Sequence, residues 1–444
     1  MSNASAIAVA PPVRRVGTSL SSTGRIVIVM LLVLVFEGAI RKWLVPSATG
    51  PLILLRDLLA LYVIFNAVKK GSMRRSHRLS MGLLLWSCCV IGWGLLQLTL
   101  GESNAKVFLI GLRFWLLYFW FAVAAASLMT ERDYIVAVRV LLISLVVTTP
   151  LVVLQHYSPP TSILNLTPDT DPEDIFIVIQ GVVRTTGTFT FTAGYVFFLS
   201  MCAPFVLGAI EARKRALRHL VYALMLFGCL AASAMVSGAR TAVIFTGAML
   251  AVYFLGNLIF APGKKKGRAI ISIVIVALAV AGMVYVFSDA VTATQERFAD
   301  ASQSEDFGDR LMMTFFGEPW VSERADIVGA GLGLGSNLAQ FVQVGERTVF
   351  TLAESEPGRT LLEGGLVGWL FIILKFATVA VGMITGLALA IRTRTVFPIL
   401  LWSAVSVALV TWPVIGQITA NGLFGLLLLF GLLSVRYPRL QLFG

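Results

Sequence analysis

The stretch RIVIVMLLVLVFEGAIRKW (Arg25–Trp43) sets the reading of the whole chain. From Ile26 to Ile40 it is apolar except for Glu37, and it is followed by Arg41 and Lys42 rather than by a small-residue cleavage site. It therefore reads as a first membrane helix and not as a removed signal peptide. Similar blocks, roughly 18 to 25 residues each, recur to the end of the chain, the length at which a helix spans a hydrocarbon core. The composition agrees: 57% hydrophobic, 13% charged and a mean hydropathy of +0.87 over 444 residues. A soluble domain of that size needs far more polar surface. The expected class is an all-α polytopic membrane protein.

Twelve transmembrane helices are expected, centred on 26–40, 50–68, 80–100, 107–128, 135–155, 190–210, 219–236, 241–260, 269–287, 362–390, 396–413 and 419–434. The organisation that follows is a tail (1–25), nine spans within 26–287, one large loop (288–361), three spans within 362–434 and a second tail (435–444). Of the 35 Lys and Arg residues, 21 fall in the tails and the short connectors on one side, and ten in the other-side segments, which are much longer. Basic excess marks the cytoplasmic side. Both termini are thus expected inside, and 156–189 and 288–361 outside. The net charge of +12 is then a topology signal rather than a nucleic-acid patch. Nucleotide-driven chemistry has no domain in which to sit, so any chemistry on soluble groups is expected at the outer face.

Metal chemistry is not indicated. Cys88, Cys89, Cys202 and Cys229 lie in apolar runs, the only histidines are His77, His156 and His219, and no CxxC or His/Cys cluster is present. No cofactor is implied either. FWLLYFWF (Phe114–Phe121) reads as packing or lipid-facing aromatics.

Charges inside the expected spans are more informative: Glu37, Arg56, Asp57, Arg113, Arg139 and Lys375. Each costs about 2.5–3.5 kcal/mol at a helix centre unless it is paired. Arg56 and Asp57 are adjacent and point apart, so cross-helix pairing is expected, for instance Glu37 with an arginine. A proton or substrate path is the sharper alternative.

Arginines at the outer rim suit a different task. They are Arg184 in RTTGTF, Arg240 in SGAR, Arg310 in DFGDRL, Arg324 in VSERAD and Arg359 in AESEPGRTLLEGGLVGW (Ala353–Trp369). A guanidinium keeps its charge and offers phosphate oxygens a planar fork of donors. The plainer alternative is pairing with a carboxylate or a lipid headgroup. GAGLGLGSN (Gly329–Asn337) has glycines at every second position and does not match GxGxxG; it reads as a backbone that turns tightly or approaches a neighbour closely.

Taken in order, RTTGTF (Arg184–Phe189), SGAR (Ser237–Arg240), Arg310 with GAGLGLG nineteen residues on, and the ExGLxG of Glu363–Gly368 resemble the O-antigen ligase and O-antigen polymerase superfamily. The likeness covers most of the chain, including the large outer loop ahead of span ten. It implies a metal-independent glycosyltransferase of the bacterial inner membrane. Such an enzyme moves glycan from a polyprenyl-diphosphate-linked oligosaccharide donor to a glycan or lipid-linked acceptor at the periplasmic face. A chain-length regulator and export proteins are the partners it implies, beside the lipid bilayer. In family members the short-turn and loop arginines are thought to engage the diphosphate, and these match Arg240 and Arg310. Arg184, Arg324, Arg359 and Glu356 are further substrate-binding candidates.

One departure stands out. Relatives commonly carry a histidine about nine residues before the ExG glutamate, and here that position is Glu354. A carboxylate at the rim of a low-dielectric site could take the acceptor's proton, since burial raises its pKa towards working pH. Glu354 is therefore the expected base, and the missing histidine favours a polymerase over a ligase. The same stretch also has a purely structural reading: Pro357 starts a helix with acidic residues at its N-terminus, and Arg359 and Glu363 form an i,i+4 pair. Two other functions compete, a twelve-span secondary transporter coupled through the in-membrane charges and a non-catalytic scaffold of an export complex.

Overall fold

A computed structural model describes residues 19–166, 183–212, 216–260, 263–292, 295, 307–339 and 353–443. Most of the tail 1–25, the TPDTDPEDIF stretch and parts of the 288–361 loop lie outside the described residues. Within them the chain is all-helical, without strands.

The helices are α1 (Ser22–Ala39), α2 (Thr49–Lys69), α3 (His77–Leu100), α4 (Ala105–Leu112), α5 (Tyr118–Leu128), α6 (Glu131–Tyr157), α7 (Thr192–Ala212), α8 (Leu217–Val236), α9 (Arg240–Phe260) and α10 (Gly263–Val286). They continue as α11 (Phe307–Phe316), α12 (Pro319–Arg324), α13 (Glu356–Gly364), α14 (Leu366–Thr393), α15 (Phe397–Thr411) and α16 (Ile418–Arg436). A π-helical turn, Arg113–Leu117, joins α4 to α5 as one apolar rod.

Ten helical segments among the described residues are long and apolar enough to cross a bilayer, so this is a multi-pass membrane protein. Of the twelve expected spans, ten correspond to such helices and the other two, 269–287 and 396–413, to shorter apolar ones, Ile273–Val286 and Phe397–Thr411. The shortfall has a local cause in each case. The first turns of α10 are GKKKGR, which leaves a short apolar remainder. Helix α15 stops where Trp412 leaves helical geometry ahead of Pro413. At 15 residues and 1.5 Å per residue it is about 22 Å long, short of a hydrocarbon core of about 30 Å.

The expected tenth span, 362–390, also starts late. Gly365 takes φ 52°, ψ −122°, and a Cβ there would overlap the Ile327 carbonyl. Only glycine fits. The break separates α13 from α14 and puts Glu363 outside the span.

Burial follows position in the bundle. Helix α7 is buried on nearly every side and α16 nearly so, while α2, α3, α9 and α14 show large apolar side chains outward. A helix apolar all round belongs at the centre of a bundle or in contact with lipid. Small residues let the axes approach: Gly425 meets Tyr118, and Gly382 meets the ring of Trp402.

The in-membrane charges meet partners on neighbouring helices. Arg56 donates to Glu37 at 3.2 Å, linking α2 to α1. Arg113 donates to both oxygens of Asp57, at 2.6 and 3.1 Å, and the Tyr118 hydroxyl donates to the same carboxylate at 2.9 Å. Arg139 differs in donating to the Leu442 carbonyl, at 2.7 Å, in the non-helical segment after α16.

Candidate functional site

At the end of the bundle that the basic-residue bias assigns to the outside, two stapled assemblies form. The first is built on GAGLGLGSN. Its backbone runs against the end of α13: Ala330 N–H donates to Leu362 O at 2.8 Å and Gly331 N–H to Glu363 O at 3.1 Å. Gln97, near the end of α3, braces both strands of chain. Its amide donates to Val328 O and Glu363 O, at 2.7 and 2.9 Å, and its carbonyl accepts from Leu332 N–H at 2.9 Å. The alternating glycines have a steric reason. Gly333 has φ 104°, and a Cβ there would meet Val107 O and the Gly111 amide of α4. The loop passes between α4 and α13 because it lacks side chains on that face.

Glu363 lies at the centre, fully buried. Its carboxylate accepts from Trp115 Nε1 at 2.6 Å, Gly335 N at 2.6 Å and Gly333 N at 3.2 Å. Burial pushes its carboxyl up to about 8, with Glu356 adding to the rise; the donors from Gly335, Trp115 and Gly333 oppose it. Trp115 itself is wedged against Phe371 at 5.1 Å and Trp86 at 5.9 Å.

Helix α13 carries the acidic cluster. Ser355 caps it by accepting from Gly358 N–H at 3.0 Å, and Pro357 sits in its first turn. Glu318 in turn takes Glu354 N, Ser355 N and Ser355 Oγ, at 2.6, 2.8 and 2.6 Å. Burial works to raise the Glu318 carboxyl, but these bonds outweigh it and hold it below the usual range. Glu356 is buried, pairs with Lys375 of α14 at 2.5 Å, and accepts from Ile415 N at 3.0 Å.

Arg359 Nε donates to Ala353 O at 2.7 Å. Burial lowers the guanidinium from its ordinary value, against the fields of Glu318, Glu356, Glu354 and Glu363. Its side chain runs past Gly335 and reaches Gly416 in the loop between α15 and α16. That loop is fixed from the other side by Asn337 N–H donating to Gly416 O at 2.8 Å.

The second assembly holds RTTGTF. Lys42 donates to Thr186 Oγ1 at 2.5 Å and to Gly187 O at 3.3 Å. Gln155 of α6 accepts from Gly187 N at 2.7 Å and donates back to Gly187 O at 3.2 Å. Thr188 Oγ1 donates to Val35 O at 2.5 Å. Thr185 Oγ1 donates to Val236 O at 3.3 Å, which ties RTTGTF to the SGAR turn, and His156 hydrogen-bonds the same Val236 backbone. Trp412, at the start of the loop that holds Gly416, lies tilted against Phe197 in the first turns of α7, with ring centroids 4.7 Å apart.

The expected site residues divide accordingly. Arg359, Glu354 and Glu356 share the first assembly with Glu363 and Glu318. Arg184 and Arg240, both half-buried, belong to the second. Arg310 is exposed on α11, a helix that packs on α13 and α15, and Arg324 is exposed with its guanidinium 5.8 Å from the Trp320 ring. The two arginines matched to the family's diphosphate ligands, Arg240 and Arg310, thus sit in different assemblies. Glu354 is exposed, so the burial expected to tune it falls on Glu363 instead. Lys42, Gln97, Trp115, Gln155 and Glu318 were not singled out by the sequence. Among the described residues no group of His, Cys, Asp and Glu could hold a metal ion.

Comparison with protein-family models, with curated proteins and with solved structures finds no match to the chain.

Proposed function

We propose that the chain is a metal-independent glycosyltransferase that polymerises or ligates polyprenyl-diphosphate-linked glycan units at the periplasmic face of a bacterial inner membrane, with both termini cytoplasmic. One observation carries the reading. The outer segments on which the resemblance rests fold in pairs, ExG against the alternating glycines and RTTGTF against Val236, the residue that leads into SGAR. Segments dispersed over some 180 residues by chance have no reason to interlock at one end of the bundle.

The chemistry needs an activated hydroxyl and a stabilised leaving group. The acceptor hydroxyl attacks the anomeric carbon, a C–O bond forms, and the bond to the diphosphate breaks with its electron pair leaving on oxygen. Glu354, exposed beside the cap of α13, takes the hydroxyl proton. Arg240 and Arg310, the two arginines matched by the resemblance, are assigned the developing diphosphate charge, with Arg184, Arg324 and Arg359 in support. Glu356 acts within the site through Lys375 and Ile415. A missing histidine in the outer loop favours the polymerase form over a ligase.

Reconstitution with a defined lipid-diphosphate oligosaccharide tests the reading. Longer products are expected from the wild type, none from Arg240→Ala or Arg310→Ala, and donor binding without turnover from Glu354→Gln. Elongation that persists with both arginines replaced overturns the donor assignment. The transporter reading gains if the wild type moves a solute across the vesicle and elongates nothing.

A further inference from the structure

Glu363 differs from the other acidic residues of the site in what meets it. Two alternate backbone amides, Gly333 and Gly335, and the Trp115 indole converge on one carboxylate that is closed off from solvent. Backbone N–H groups arranged this way make a nest for an anion. Here the occupant is internal, the Glu363 carboxyl. The glycine amides are therefore engaged and do not cradle a substrate phosphate.

What the clamp holds is visible one turn upstream. Arg359 lies on the same helix, its side chain laid along Gly335 and ending beside Gly416. Both walls depend on the glycine loop, because Gly335 is bonded to Glu363 and Gly416 accepts from Asn337 of that loop. The charged groups facing this region are Arg359, Glu356 and Glu354 of α13 and its cap, Glu318 ahead of α12, and Lys375 of α14. From α3 and the α4–α5 rod the close contacts are the uncharged Gln97 and Trp115.

We propose that Glu363 is a positioning residue: by filling the glycine nest with an internal carboxyl group it fixes the loop 329–337 and Gly416 as the walls that aim the Arg359 guanidinium at the donor diphosphate. Only the last step rests on the proposed glycosyl transfer. The clamp itself is a property of the chain.

The test uses the full-length protein in lipid nanodiscs. Amide exchange of peptides covering 327–337 is compared between wild type, Glu363→Gln and Trp115→Phe. Glu363→Gln keeps the volume but replaces one acceptor oxygen by an NH2 that cannot accept from the converging donors, and about tenfold faster exchange is expected there, with α7 and α16 unchanged. Trp115→Phe removes one donor and retains the ring, and a smaller change in the same direction is expected. Should Glu363→Gln fail to fold, Trp115→Phe decides alone. Unchanged exchange overturns the clamp.

Positioning is then read by kinetics on the lipid-diphosphate donor. Glu363→Gln is expected to raise KM more than it lowers kcat, and adding Arg359→Lys is expected to bring little further loss, since the two act as a unit. Exchange that responds while KM stays at the wild-type value overturns the positioning role. Exchange that responds while the wild type itself elongates nothing leaves the clamp standing and removes the transfer reading.

Discussion

Lys375 reaches back from the third turn of α14 to pair with Glu356 at the start of α13, and both side chains are buried. The pair spans the glycine break at 365 and fixes the angle between a helix outside the span and the span itself. Its other carboxylate oxygen accepts from Ile415 N, so the same pair anchors the loop between α15 and α16.

Removing one partner of a buried pair leaves the other uncompensated, at a cost of about 3–5 kcal/mol. Lys375→Met is expected to lower the thermal midpoint of the purified protein markedly. The double variant Lys375→Met/Glu356→Gln should recover most of the loss. A double variant less stable than the single one contradicts a direct pairing.

Local stability around Glu363 should fall as pH rises. Its folded-state value, about 8, lies above the ordinary 4.5, so the closed loop holds the proton more tightly than the open one. That contribution is complete below about 4.5 and lost as pH passes through about 8. Opening of 329–337, measured by exchange corrected for its intrinsic pH dependence, should become easier over that window. Glu363→Gln should flatten the slope; an equal slope in the variant excludes Glu363 as the source.

Lys42 grips RTTGTF through Thr186 and Gly187. Lys42→Met deletes both bonds, each worth about 0.5–1.5 kcal/mol to the loop. Faster exchange confined to 184–189 is expected, with global stability little changed. Loosening spread evenly through the bundle would argue that Lys42 is a general core group.

Gly333→Ala tests the crossing of the glycine loop. A left-handed backbone costs a non-glycine residue about 1–3 kcal/mol, and the added methyl meets Val107 O and the Gly111 amide. A clear fall in folded yield is expected. The same change at Gly50, where nothing lies within reach, should be silent.

Much of the bundle was legible in the sequence because hydropathy reports directly on spans, and because the cost of a lone charge in lipid forces partners such as Glu37 and Arg56 together. Legibility failed where a residue's role depends on a distant chain segment. Trp115 looked like one aromatic in a greasy run, and its acceptor lies 248 positions away. Lys42 was counted as a topology charge. Gly364 and Gly365 merged with the apolar residues after them, hiding the break that frees Glu363 from the span. The carboxylate chosen as buried was Glu354, but the cap at Ser355 and Glu318 leaves it exposed and sends Glu363 inward.

The early stop of α15 has a further consequence. Irregular backbone at membrane depth survives only where protein or water meets its polar groups, and the 412–417 segment sits beside Arg359, Glu356 and the glycine loop. The protein thus holds this non-helical elbow on its own groups, Glu356 accepting from Ile415 N–H and Gly416 O from Asn337 N–H, in place of the turns that a longer helix would have supplied.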